Sequence, residues 1–143
     1  MVVLDSDILS LMLWKGASHS TLELRLAQLP QADLFSMIVN YEEQVGGWLD
    51  SLRQARNARM SKQIEIYRRL HQQLRLYRNV RLLDFDEAAA TQFQSLRKQF
   101  RRHKANNLKV ASVVLTDQAL LVTRNLNDFR QIPGLRSENW TKE

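Results

Sequence analysis

The residues best suited by type and spacing to do chemistry are acids and amides. Near the start, "VVLDSDILSL" runs three apolar residues into Asp5 and Asp7, with Ser6 between them. Further on, "NYEEQVGG" carries Glu42 and Glu43, and "TRNLNDF" carries Asn125 and Asp128. The chain has no cysteine, and His19, His71 and His103 lie far apart, so neither a zinc site nor a nucleophile triad is suggested. Oxygen ligands alone are the set for Mg²⁺ or Mn²⁺. Such ions hold and polarise a phosphodiester, and generate hydroxide. No glycine-rich phosphate loop is present, because Gly46 and Gly47 fall inside a helical pattern.

Each acid also has a purely structural use. Asp5 or Asp7 can cap the first helix, since short acids accept hydrogen bonds from a helix's first N–H groups. Asn40 followed by Glu43 has capping-box spacing, which would tie Glu43 to its own helix terminus. The helical wheel turns Glu43 away from the Tyr41/Val45/Trp48 stripe, towards either a cleft or solvent. Asp128 can simply fix the turn before Phe129.

Strands are expected at 2–4, 33–39, 79–85 and 119–123, with a short edge strand within "PGLRSENW". Helical periodicity covers 7–15, 20–29, a run from Asn40, 60–77, the segment after Asp86, and 106–115, which is apolar nearly all round. Strands alternating with helices imply an α/β fold with a mostly parallel sheet covered on both faces. Ligands of such sheets bind outside the carboxyl ends of the strands. Asp5, the segment after Val39 and the segment after Thr123 should therefore gather at one edge.

At 143 residues, 44% apolar and 25% charged, the chain reads as one domain over 1–143. Absence of cysteine suits a reducing cytosol. Only three apolar residues separate Met1 from Asp5, and no apolar run is long enough for a membrane span. A cytoplasmic protein without membrane contact is expected. A net charge of +6 and a pI near 10.1 favour a polyanionic partner, nucleic acid first. Arg97, Lys98, Arg101, Arg102 and Lys104 form a basic run that abuts the expected cleft, a candidate track for RNA phosphates. Arg124 stands beside Asn125 and could serve a phosphate or an inhibitory protein segment. The run containing Arg68, Arg69, Arg75, Arg78 and Arg81 is equally well explained as a solvated helix face. Trp14, Trp48 and Trp140 lie in apolar patterns and are assigned to core or dimer interface.

Four segments taken in order, "VVLDSDILSLML", "SMIVNYEEQVGGWL", "RLLDFDEAAATQFQSLR" and "LLVTRNLNDFRQIPGLRSENW", resemble PIN-domain ribonucleases of the VapC toxin type. The resemblance spans residues 2–140, and "VTRN", "DF", "PGL" and "ENW" are its most specific part. It implies a three-layer α/β/α PIN-like domain that cleaves RNA with Mg²⁺ or Mn²⁺. It also implies a homodimer and a neutralising antitoxin. Asp5 matches the first metal-binding acid and Glu43 the second. The third acidic position, usually within a G-T-x-D-L-x-I-A pattern, is Asn107 in "KANNLKVA". The fourth is Asn125, with Asp128 further on as a substitute. Asp5 and Glu43 are thus the expected principal ligands, with Asp7 and Asp128 assisting directly or through water. An amide supplies an oxygen but neither charge nor a proton acceptor, so metal affinity and base catalysis should both be weaker. The competing expectation is a weakened PIN-like module that holds RNA or an antitoxin without efficient cleavage.

Overall fold

The computed structural model describes residues 1–13 and 20–142. The expected end of the first helix, Trp14 and His19 lie outside the described residues. β1 (Val2–Leu4) is the central strand, flanked by β2 (Leu34–Met37) and β4 (Leu120–Val122). β3 (Arg81–Leu83) and β5 (Arg136–Glu138) form the edges, and every neighbouring pair is parallel. Val3 stands opposite Phe35 on one side and Leu121 on the other.

Successive side chains of a strand point to opposite faces, and here they feed separate cores. Val3, Leu121, Phe35 and Met37 pack with α5 (Glu87–Gln99), α6 (Ala105–Thr116) and Phe129 of α7 (Leu126–Phe129). Val2, Leu4, Leu120 and Val122 pack with α1 (Ser6–Leu13), α2 (Ser20–Ala27), α4 (Met60–Arg78) and Trp140. The result is the expected three-layer α/β/α arrangement. β1 is apolar throughout because both its faces are covered. α3 (Ile38–Gln54) serves both cores, placing Val39 in the first and Tyr41 in the second.

The strand order β3-β2-β1-β4-β5 reverses direction at β1, so the connections diverge between β1 and β4. A crevice opens beyond the strand ends at such a switch point. Asp5 follows β1 and Thr123 follows β4, which puts both residues at its floor.

Several local expectations need correction. α1 begins at Ser6, so Asp7 lies inside it and is not its cap; Asp5 precedes the helix, and its carbonyl accepts from Ile8 and Leu9 N–H at 3.1 Å each. α3 begins at Ile38 with Met37 as its N-cap residue, so Asn40 lies inside the helix. The capping box with Glu43 is therefore absent, and Glu43 is released for other partners. α7 is a helical turn where only a turn before Phe129 was expected. Asp86 does cap α5, its Oδ1 accepting from Ala89 N–H at 2.9 Å. α6 buries Leu108, Val110, Ala111, Ser112, Val113 and Val114, matching its nearly all-round apolar pattern.

Candidate acidic centre

The end of β1 is clamped by buried polar groups. The Leu4 carbonyl accepts from Ser36 Oγ at 3.0 Å and from Asn40 Nδ2 at 3.2 Å. The next N–H, that of Asp5, donates to the Val122 carbonyl at 3.0 Å. The backbone at Asp5 is thus fixed from β2, α3 and β4 together. The Asp5 residue is only 9% exposed. Its Oδ1 accepts from Ser6 N–H and its Oδ2 from Thr123 Oγ1, both at 2.9 Å. Burial, followed by the charge of Asp7 and more weakly of Glu43, raises its pKa to about 6 against the pull of those two donors.

Asp7 lies two residues on, in the first turn of α1. Its Oδ2 accepts from the Arg124 backbone N–H at 3.0 Å, with Arg124 Nε at 3.9 Å. Its other oxygen, Oδ1, is buried without a hydrogen-bond partner. Burial raises the Asp7 pKa, and Arg124 holds it down only in part. Glu43 reaches the same place from α3, its Oε1 accepting from Ser6 Oγ at 3.3 Å and its Oε2 from Asn106 Nδ2 at 2.5 Å.

Amides dominate the opposite wall. Asp128 Oδ2 accepts from Asn107 Nδ2 at 3.0 Å and from Asn125 Nδ2 at 2.7 Å. Asn125 N–H donates to Thr123 Oγ1 at 3.0 Å, and Thr123 in turn donates to Asp5. Asp5, Thr123, Asn125, Asp128 and Asn107 are therefore joined in one continuous network. Glu42, beside Glu43, is exposed and takes no part in it.

Among the described residues, no three acids or histidines stand close enough together to enclose a metal. Mg²⁺ does not require enclosure, because it keeps several waters and takes one or two carboxylates. Asp5, Asp7 and Glu43 offer only hard oxygens, their charges repel one another, and Asp7 Oδ1 has no proton donor. This donor set fits a largely hydrated dication. Beside it opens a cavity of about 440 Å³ lined by Ser6, Asp7, Glu43, Gln44, Trp48 and Gln73 among others. Gln44 braces its floor, Nε2 donating to the Ser6 carbonyl at 3.0 Å and to Ser10 Oγ at 2.9 Å.

Arg97, Lys98 and Arg101 line a shallow basin of about 650 Å³ with Phe93 on α5, where Arg97 lies 5.8 Å from the Phe93 ring centre. Arg102 is exposed in the turn that follows, and Lys104 is the N-cap residue of α6, two positions before Asn106. Arg69 pairs with Glu65 on the exposed face of α4 at 3.2 Å, in keeping with a solvated face for that run. Trp140 is buried in the second core, and Trp48 lines the cavity beside the acids. Asn106 and Thr123 were not singled out by the sequence reasoning, although each bonds directly to an acid of the centre.

Comparison with known structures decides the fold. A chain of VapBC2 from Rickettsia felis bound to a promoter DNA fragment superposes with a TM-score of 0.72 at 21% identity, covering 98% of this chain and 99% of that one. A chain of VapBC-1 from nontypeable Haemophilus influenzae gives 0.70 at 24%, covering 99% and 100%. A chain of FitAcB from Neisseria gonorrhoeae gives 0.72 at 21%, covering 97% of each. The chain has the PIN-like fold. In sequence, it is 32% identical over 65 residues to Ribonuclease VapC2 of Rickettsia felis, 43% of this chain and 48% of that protein. The match thus spans about half the length of that curated relative, and no family model matches the chain. The PIN-like fold places the acids at the switch point of its sheet.

Proposed function

We propose that this chain is an endoribonuclease of the toxin kind, assisted by Mg²⁺ or Mn²⁺ and restrained by a cognate antitoxin. It acts on RNA in the cytoplasm, most simply as a homodimer. The observation that carries this reading is the convergence of Asp5, Asp7 and Glu43 at the switch point, with Asp7 Oδ1 left buried and unpartnered. The resemblance to Ribonuclease VapC2, and to chains of VapBC complexes, supports the toxin class and the antitoxin partner.

In this reading, Asp5 and Glu43 are the principal ligands of a largely hydrated ion, with Asp7 and Asp128 assisting directly or through water. When bound, such an ion offsets phosphodiester charge and lowers the pKa of water. The chain's own residues do the rest. Thr123 and Ser6 keep the Asp5 carboxylate in one orientation, and Ser6 also steadies Glu43. Arg124, tethered to Asp7, presents a guanidinium to the strand at the edge of the centre. Arg97, Lys98, Arg101, Arg102 and Lys104 hold phosphates further along.

One observation favours a second reading. Asn106, Asn107 and Asn125 already satisfy Glu43 and Asp128 with N–H groups, as a module that binds RNA without cutting it would require. Mn²⁺-dependent cleavage of a mixed RNA substrate by this chain, Glu43→Gln and Asn107→Asp separates the two. The nuclease reading expects EDTA-sensitive cleavage that Glu43→Gln removes. Cleavage by Asn107→Asp alone makes this chain a silenced nuclease. Silence of all three, with folding intact, overturns the nuclease reading in favour of the binder.

A further inference from the structure

A second concavity, of about 570 Å³, lies on the other side of the Arg124–Asn125 loop and is lined by Arg25, Arg124, Arg130 and Lys142. Its only acid among the described residues is Glu138. That carboxylate is already engaged, accepting from Arg25 at 3.3 Å and from Trp140 Nε1 at 2.6 Å through the same oxygen. Arg25 also lies 5.5 Å from the Trp140 ring centre, so it is held in place by both an acid and an aromatic face. Arg124 is tethered on its far side to Asp7. Arg130 and Lys142 are exposed and pair with no acid among the described residues. Four cations around one hollow repel one another, and an anion placed between them relieves that repulsion.

Position selects the kind of anion. The Arg124–Asn125 loop is bonded to the acids on one side and lines the cationic hollow on the other. Arg124 N–H bonds Asp7 at 3.0 Å and the Asn125 amide bonds Asp128 at 2.7 Å. A strand with one phosphodiester at the acids therefore carries its neighbouring phosphate over this loop. The volume lies in the range that accepts a phosphate together with its sugar. Arginine forks suit the paired oxygens of a phosphodiester.

We propose that Arg25, Arg124, Arg130 and Lys142 form a subsite for an internal RNA phosphodiester adjacent to the one at the acidic centre. This rests on the RNA reading above. Arg130 and Lys142 supply the unpaired charges, Arg25 is the oriented fork, and Arg124 couples the subsite to the acids. A terminal 5′-phosphate shares the same chemistry, and an acidic protein segment is the competing occupant.

The test is fluorescence anisotropy of a labelled single-stranded RNA 12-mer in Ca²⁺, with and without a 5′-phosphate, across a salt series. Arg130→Ala/Lys142→Ala is compared with Arg56→Ala/Arg59→Ala, which removes equal charge from the exposed turn at the far end of α3. Losing two contacts should weaken binding about tenfold at low salt. It should also reduce the slope of log K against log[salt] by about 1.4. The same losses are expected with or without the 5′-phosphate, and the control pair should leave the slope unchanged. Equal behaviour of the two pairs overturns the subsite while leaving the RNA reading standing. Loss confined to 5′-phosphorylated RNA also overturns it, in favour of an end-binding pocket. Absence of RNA binding by the parent chain overturns both readings and points to the acidic protein segment.

Discussion

The two walls of the acidic centre solve the problem of crowded carboxylates in opposite ways. On the β1 wall, Asp5 is buried and Asp7 half-buried, with fewer donors than their charges require; Asp5 is pushed to about 6, and one Asp7 oxygen has no partner. On the α6–α7 wall, amide groups from Asn107 and Asn125 converge on a single oxygen of Asp128. The first wall stores electrostatic cost that a cation can relieve. The second has relieved it already, with neutral donors that cannot exchange for a metal without breaking hydrogen bonds. A fold can thus keep the geometry of a cation site while only half of it keeps the charge, and the β1 half should govern metal response.

The largest effect that would break this contrast is expected at Asp5. Asp5→Asn retains an oxygen for Ser6 N–H but removes the charge, and RNA cleavage should fall on the order of 10³-fold. Cleavage within threefold of the parent would move the working half of the centre to the other wall. Next in size is Asn107→Asp. It converts a donor to Asp128 into a second carboxylate beside it, so the metal-free protein should lose about 1–2 kcal/mol. In return, Mn²⁺ should bind more tightly and activity should rise by about 10²-fold. Thermal melts with and without Mn²⁺ read both changes. A melting point that falls equally in both conditions would mean that the amide wall cannot be converted.

The raised Asp5 pKa gives a pH signature of the same contrast. The folded state holds the Asp5 proton to about pH 6, whereas the unfolded chain releases it near the ordinary 3.8. Stability from this group is therefore greatest when it is protonated, falls as pH rises from about 4 to 6, and stays low above that. The difference of about two pKa units corresponds to about 3 kcal/mol. Urea midpoints of the metal-free protein, compared with Asp5→Asn over this range, isolate the contribution. The variant should be the more stable protein at pH 8, and the gap should close towards pH 4. A gap independent of pH would mean that Asp5 is not under the strain assigned to it.

The β1 wall was legible in the sequence and the amide wall only partly. Three apolar residues ending at Asp5 announce a buried strand and its switch-point acid, since alternation is lost only where both faces are covered. α4, α5 and α6 were readable from periodicity. The start of α3 was not. An apolar run such as "SMIV" reads equally as strand or buried helix, and "N40" looked like a cap because Asn favours caps wherever it is exposed. Here it is buried instead, holding the Leu4 carbonyl. α7 is a single turn, too short for any period to register. Asn106 was overshadowed by Asn107, because motif position marked the second amide and nothing local marked the first. Thr123 carried no signal beyond its place at a strand end; its importance comes from its contact with Asp5, 118 residues away in the chain.

That contact gives the sharpest test. Thr123 Oγ1 donates to Asp5 and accepts from Asn125 N–H, which makes it the hinge between the two walls. Thr123→Val preserves shape in a fully buried position but removes both bonds at once. The cost should be about 1–3 kcal/mol, because a buried carboxylate oxygen and a loop N–H lose their partner. Asp5 should then titrate higher, since a donor that favours its charged form is gone. Thr123→Ser restores the hydroxyl and should recover most of the pH profile despite the lost methyl group. If serine and valine shift the profile alike, the effect is one of packing, and the walls are coupled through the backbone rather than through this hydroxyl.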